Sequence, residues 1–89
     1  MTVAQVVLPA SLTLLFGGAP RRLEIDGATV AAILDGLNAR WPGMRDRLCD
    51  ERPAIRRHIT IFVDGERAGL DTEVGEGSEV FVLPALSGG

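Results

Sequence analysis

Apolar residues along this 89-residue chain fall into short runs of two different periods. Val3 to Leu8 is a compact apolar run closed by Pro9, and Leu12 to Phe16 is another, closed by Gly17-Gly18. These first two segments are expected to pair as a hairpin with a long or irregular connection. Gly17-Gly18-Ala19-Pro20 has the composition of a turn. After it, Leu23 and Ile25 alternate with polar neighbours, as in a half-buried strand. The next pattern is helical. Val30, Ile33, Leu34, Leu37 and Trp41 recur at three- and four-residue intervals and make one apolar stripe. Thr29, following the Asp26-Gly27 turn, can cap that helix by accepting a backbone N–H through its hydroxyl. Pro42-Gly43 ends it, because proline disfavours helical geometry in the residue before it. Asp35, Asn38 and Arg40 are expected to point outward. Gly36 costs about 1 kcal/mol relative to alanine inside a helix, which signals either close packing or simple tolerance.

The second half returns to a period of two. Residues 44–57 are polar and arginine-rich, with Met44, Leu48 and Ile55 as apolar positions. Arg52-Pro53 marks an extended linker, with room before it for a short helical turn. Ile59, Ile61 and Val63 share one face of a strand, and Thr60 and Phe62 the other. Asp64-Gly65 predicts a hairpin, since the tight primed turn needs positive φ. Gly75-Glu76-Gly77 is a further turn, and Val80 to Leu83 is the last strand. Strands flanking a helix give an α+β fold. One mixed sheet of four to five strands carries one main helix across it, the ubiquitin-like β-grasp arrangement. The first and last strands would be central, parallel neighbours, because the long crossover permits parallel pairing.

Composition narrows the functional classes. The chain is short enough for a single domain, expected over residues 1–83 with a flexible tail at 84–89. With 46% apolar and 24% charged residues it can build a core. The net charge of −3 argues against nucleic acid as the main partner. No apolar run approaches the roughly 20 residues of a membrane span, and residues 1–16 lack the positive start and cleavage site of a signal peptide. The single cysteine, Cys49, cannot form an internal disulfide, which suits a reducing cytoplasm. All nine basic residues are arginine. Residues 60–89 hold Asp64, Glu66, Asp71, Glu73, Glu76 and Glu79 against Arg67 alone. An acidic second half would steer its end toward a basic pocket of the kind that holds ATP phosphates.

The final strand leads through Pro84 to Ala85-Leu86-Ser87-Gly88-Gly89. Glycine lacks a Cβ and passes where other residues clash, so such an arm could enter a narrow channel and present a terminal carboxylate for chemistry. A Gly-Gly end taken alone equally suits a frayed terminus. The stretch Ile59-Thr60-Ile61-Phe62-Val63-Asp64-Gly65-Glu66, the run from Gly77-Ser78-Glu79-Val80-Phe81-Val82 through Leu83-Pro84-Ala85-Leu86-Ser87-Gly88-Gly89, and the helix ending Trp41-Pro42-Gly43 decide between these readings. Together they resemble the MoaD/ThiS family of ubiquitin-like sulfur carriers, above all the branch that supplies sulfur for cysteine biosynthesis. Ala28 stands where the family often has an acid.

That resemblance implies a protein co-substrate that is not itself an enzyme. The Gly89 carboxylate would be adenylated by a ubiquitin-activating-like partner using ATP and Mg²⁺, then converted to a thiocarboxylate. A sulfur-accepting enzyme, cysteine-synthase-like or another, would take the sulfide for the biosynthesis of cysteine or of a sulfur-containing cofactor or metabolite. Leu86, Ser87 and Gly88 would thread into the partner's site. No cofactor or metal is expected on the chain itself, and the free protein is expected to be a cytoplasmic monomer without membrane contact. A molybdopterin synthase small subunit and a ubiquitin-like protein modifier remain as alternatives. Alternation also places Phe62, Phe81 and Leu83 on the sheet face away from the helix, a candidate partner-binding patch. Cys49 and the lone His58 have no neighbours at metal-ligand spacing. A buried, incidental thiol is the plainer reading of Cys49, and a persulfide acceptor the sharper one.

Overall fold

A computed structural model describes residues 2–50, 55 and 59–84. Its elements are β1 (Val3–Val7), α1 (Ala10–Leu15), β2 (Arg22–Asp26), α2 (Val30–Arg40), α3 (Met44–Leu48), β3 (Ile59–Val63), β4 (Glu66–Ala68) and β5 (Glu79–Pro84). The strands form one sheet in the order β2-β1-β5-β3-β4. β1 and β5 run parallel at its centre, with Val7 opposite Phe81, and the other pairings are antiparallel. This is the β-grasp arrangement that the order of elements predicts.

The alternation of β3 and β5 sorts their side chains as expected. Ile59, Ile61, Val63, Val80 and Val82 are buried against the stripe of Val30, Ile33, Leu34 and Leu37 on α2. Thr29 caps α2, its hydroxyl accepting from the Ala32 N–H at 3.1 Å. Two more free donors of the first turn, Val30 N and Ala31 N, donate to the carbonyls of Thr72 and Leu70, so the segment after β4 is tied to the helix start. Gly36 is a site of close approach, since a Cβ there would lie 2.6 Å from Ile25 Cγ2 on β2.

Three local expectations change. The run from Leu12 to Phe16 is not a strand, and β1 pairs with β2 instead. The run lies largely in α1, whose first bonds close on the Pro9 carbonyl. Helical spacing sends Leu12 inward and lets Phe16 pack against the core, while Leu14 and Leu15 face solvent. Asn38 does not simply point outward. It is half-buried, and its Oδ1 accepts from Gly43 N at 3.0 Å and Arg45 N at 3.2 Å, bracketing the turn into α3. Pro84, assigned from sequence to the tail, is the last residue of β5 and lies opposite Ile59.

Candidate functional site

β5 is the axis of the site. Flanked by β1 and β3, it buries Val80 and Val82 completely and sends Phe81 and Leu83 to the face without helices. The registers of all five strands align one row across that face: Arg22, Val7, Phe81, Phe62 and Arg67. Phe62 and Phe81 are half-buried and are not among the side chains packed on the core. As directly opposed cross-strand partners they shield each other, which explains why neither is as open as strict alternation implies. Leu83, opposite Thr60, is 39% exposed. The predicted patch of Phe62, Phe81 and Leu83 is therefore contiguous, with an arginine at each end of its aromatic row. A more polar row beside it holds Glu24, Gln5 and Glu79, where Glu24 accepts from Gln5 Nε2 at 2.8 Å and Glu79 lies 3.6 Å from Arg22.

The start of β5 is pinned by the β3–β4 turn. Asp64 (φ 51°) and Gly65 (φ 87°) take the positive-φ geometry of that turn, which Gly and Asp tolerate best. The Asp64 carboxylate accepts from the Glu79 N–H at 2.9 Å and from the Ser78 hydroxyl at 2.8 Å, and that hydroxyl accepts from Gly75 N at 3.0 Å. The bond from the Glu79 backbone, then that from Ser78, hold the Asp64 carboxyl below its ordinary range. On the other side, Gln5 N donates to the Ser78 carbonyl and Gly77 N to that of Val3, both at 2.8 Å. β5 thus has a fixed origin, and its direction through the sheet is fixed with it.

At the exit, the parallel register puts the end of β1 beside the end of β5, so α1, Leu83 and Pro84 share one end of the sheet. α2 climbs to the same end, where Phe16 comes within contact of the position a Gly43 Cβ would occupy. Leu86, Ser87, Gly88 and Gly89 lie outside the described residues, as does His58. Cys49 is 3% exposed, so its thiol faces the core. No group of three or more potential ligands gathers among the described residues to hold a metal ion, and no described helix is long and apolar enough to cross a membrane. Sequence reasoning missed the exposed pair Leu14 and Leu15. The only available signal was Pro9, a residue suited to opening a helix but read as closing a strand.

The ThiS family matches residues 6–89. Among curated proteins, the sulfur carrier protein CysO of Mycobacterium tuberculosis is 31% identical over 78 residues, 81% of this chain and 84% of that protein. Small archaeal modifier protein 1 of Haloferax volcanii is 32% identical over 81 residues, 90% of this chain and 93% of that protein. Among solved structures, a chain in the Amycolatopsis orientalis BexX/CysO complex superposes with a TM-score of 0.85 at 33% identity, covering 97% of this chain and 99% of that one.

Proposed function

The chain belongs to the ThiS family of small ubiquitin-like sulfur carriers and modifiers, and from that premise we propose that it carries sulfur as a thiocarboxylate on Gly89. A carboxylate is a poor electrophile and the carrier cannot load itself. A partner enzyme uses ATP and Mg²⁺ to join the Gly89 carboxylate to AMP, releasing pyrophosphate. A sulfide-level donor then attacks the acyl carbon and AMP leaves, giving the thiocarboxylate. That group is nucleophilic and readily deprotonated; it hands its sulfur to an accepting enzyme, and hydrolysis returns the plain carboxylate. Gly88, Ser87 and Leu86 thread the arm into each partner's site, while Phe62, Phe81 and Leu83 dock the body.

The observation that carries this reading is the family match running through Gly89, together with the central place in the sheet of β5, the last described strand before it. Likeness to CysO favours cysteine biosynthesis as the destination of the sulfur, with a cysteine-synthase-like acceptor. Likeness to the archaeal modifier favours a second reading, in which the activated glycine is joined to lysine side chains of other proteins. Intact mass of the protein isolated from its own cells separates the two. A carrier shows a species with one oxygen exchanged for sulfur; a modifier shows higher-mass conjugates. Deleting Gly89 should abolish ATP-dependent loading while leaving the melting curve unchanged, and adenylate formed on the shortened chain would refute the proposal.

A further inference from the structure

Among the described residues the exposed large hydrophobic side chains are Leu14 at 84%, Leu15 at 51% and Leu83 at 39%. All three lie at the end of the sheet where β5 finishes. α1 begins three residues beyond Val7, and Leu83 stands two beyond Phe81, the partner of Val7 in the parallel register. α1 contains no charged residue, and Leu12 alone of its side chains is buried. Leu14 and Leu15 are mostly open to water and do little to hold the fold. We propose that the solvent-facing side of α1, presented by Leu14 and Leu15, is a docking surface for the adenylating enzyme.

This inference rests on the carrier reading above and adds the surface by which the first partner recognises the chain. On that reading the reacting carboxylate is five residues past Pro84, and a fully extended chain of five residues spans at most about 18 Å. The enzyme's site must therefore come within that distance of Pro84, and the enzyme's body must cover the end of the sheet. A specific interface takes about 800 Å² from each partner, a patch on the order of 30 Å across. The sheet is five strands wide, about 20 Å at the usual strand spacing. A partner centred on the exit thus reaches past the sheet to α1. The adenylating enzyme is the occupant the chemistry favours. It alone must recognise a carrier whose end is an ordinary carboxylate, whereas later partners meet a distinctive sulfur-bearing terminus.

The test compares wild type, a Leu14→Ser/Leu15→Ser variant and a Leu14→Met/Leu15→Met variant as substrates of the purified adenylating enzyme from the same organism. Carrier-dependent ATP–pyrophosphate exchange is followed. The serine variant should lose roughly tenfold or more in kcat/KM, mainly through KM, with an unchanged melting curve, since exposed substitutions seldom alter stability. The methionine variant should load like wild type. Equal kcat/KM for wild type and the serine variant overturns the proposal. So does a defect confined to sulfur transfer from preloaded thiocarboxylate, or a self-association of wild type that the serine variant loses while still loading normally. A wild-type chain that supports no exchange overturns the carrier reading itself, and is recognised by that control.

Discussion

Phe81 and Val82 are adjacent, yet the structure places them on opposite faces of β5, and an aspartate at each position should fail in different ways. Val82 is fully buried. Val82→Asp forfeits about 1.5–3 kcal/mol of apolar burial and places a carboxyl group in the core. Such groups can rise to pKa values of about 8–9, a shift worth on the order of 6 kcal/mol at high pH. At pH 7 about 4 kcal/mol of that applies, so with the lost burial Val82→Asp should lose about 6–7 kcal/mol, half or more of the roughly 4–13 kcal/mol that domains of this size have to lose. Phe81→Asp gives up the aromatic pairing with Phe62, about 0.5–1.5 kcal/mol, about 1 kcal/mol of half-burial, and up to about 1 kcal/mol of strand preference. A total of about 3 kcal/mol lowers Tm by roughly 12–24 °C and leaves the domain folded at room temperature. Circular dichroism melts supply the stability comparison, and adenylation by the partner enzyme supplies the functional one. Phe81→Asp should fold but load at least about tenfold more slowly. If it collapses as Val82→Asp does, Phe81 belongs to the core; if it folds and loads normally, the open face is not where partners bind.

Two further outcomes follow from the packing and the turn. Gly36→Ala should gain up to about 1 kcal/mol in helix preference but drive its methyl to 2.6 Å from Ile25 Cγ2, an overlap costing about 1–3 kcal/mol. Urea unfolding should therefore show a net loss, and a more stable variant would mean that α2 can move away from β2 freely. Asp64 has its pKa lowered by folding, so its contribution to stability is present above the ordinary carboxylate range and disappears as pH falls through the depressed value. Asp64→Asn keeps a residue tolerant of positive φ but cannot titrate. In urea titrations it should be less stable than wild type at pH 6, with the gap closing toward pH 3, both pH values chosen to bracket the ordinary value of about 3.9. A constant gap would show that the Glu79 and Ser78 bonds do not depend on charge.

Most of the fold was legible because its signals are local. The stripe from Val30 to Trp41, the Thr29 cap and the Asp64-Gly65 turn each declare their geometry within a few residues, and alternation sorted Phe62 and Phe81 from Val80 and Val82. Leu12 to Phe16 was misread because a five-residue apolar run suits either period, and only the need to cross from β1 to β2 decides it. The half-burial of Phe62 and Phe81 follows from register, which no single strand encodes. The Asp64–Ser78–Glu79 network was hidden for the same reason, its members being 14 and 15 residues apart. Asn38 looked like an outward polar residue because its partners, Gly43 and Arg45, lie beyond the helix end.

The central position of β5 has a mechanical consequence. A terminal strand on a sheet edge can be peeled away one hydrogen bond at a time when its end is tugged. Here the last strand is laced to β1 on one side and β3 on the other, and tension along it loads both ladders in shear. On the proposed carrier reading, an enzyme that pulls the chain beyond Pro84 into a deep site would load these two ladders together, without unravelling the sheet.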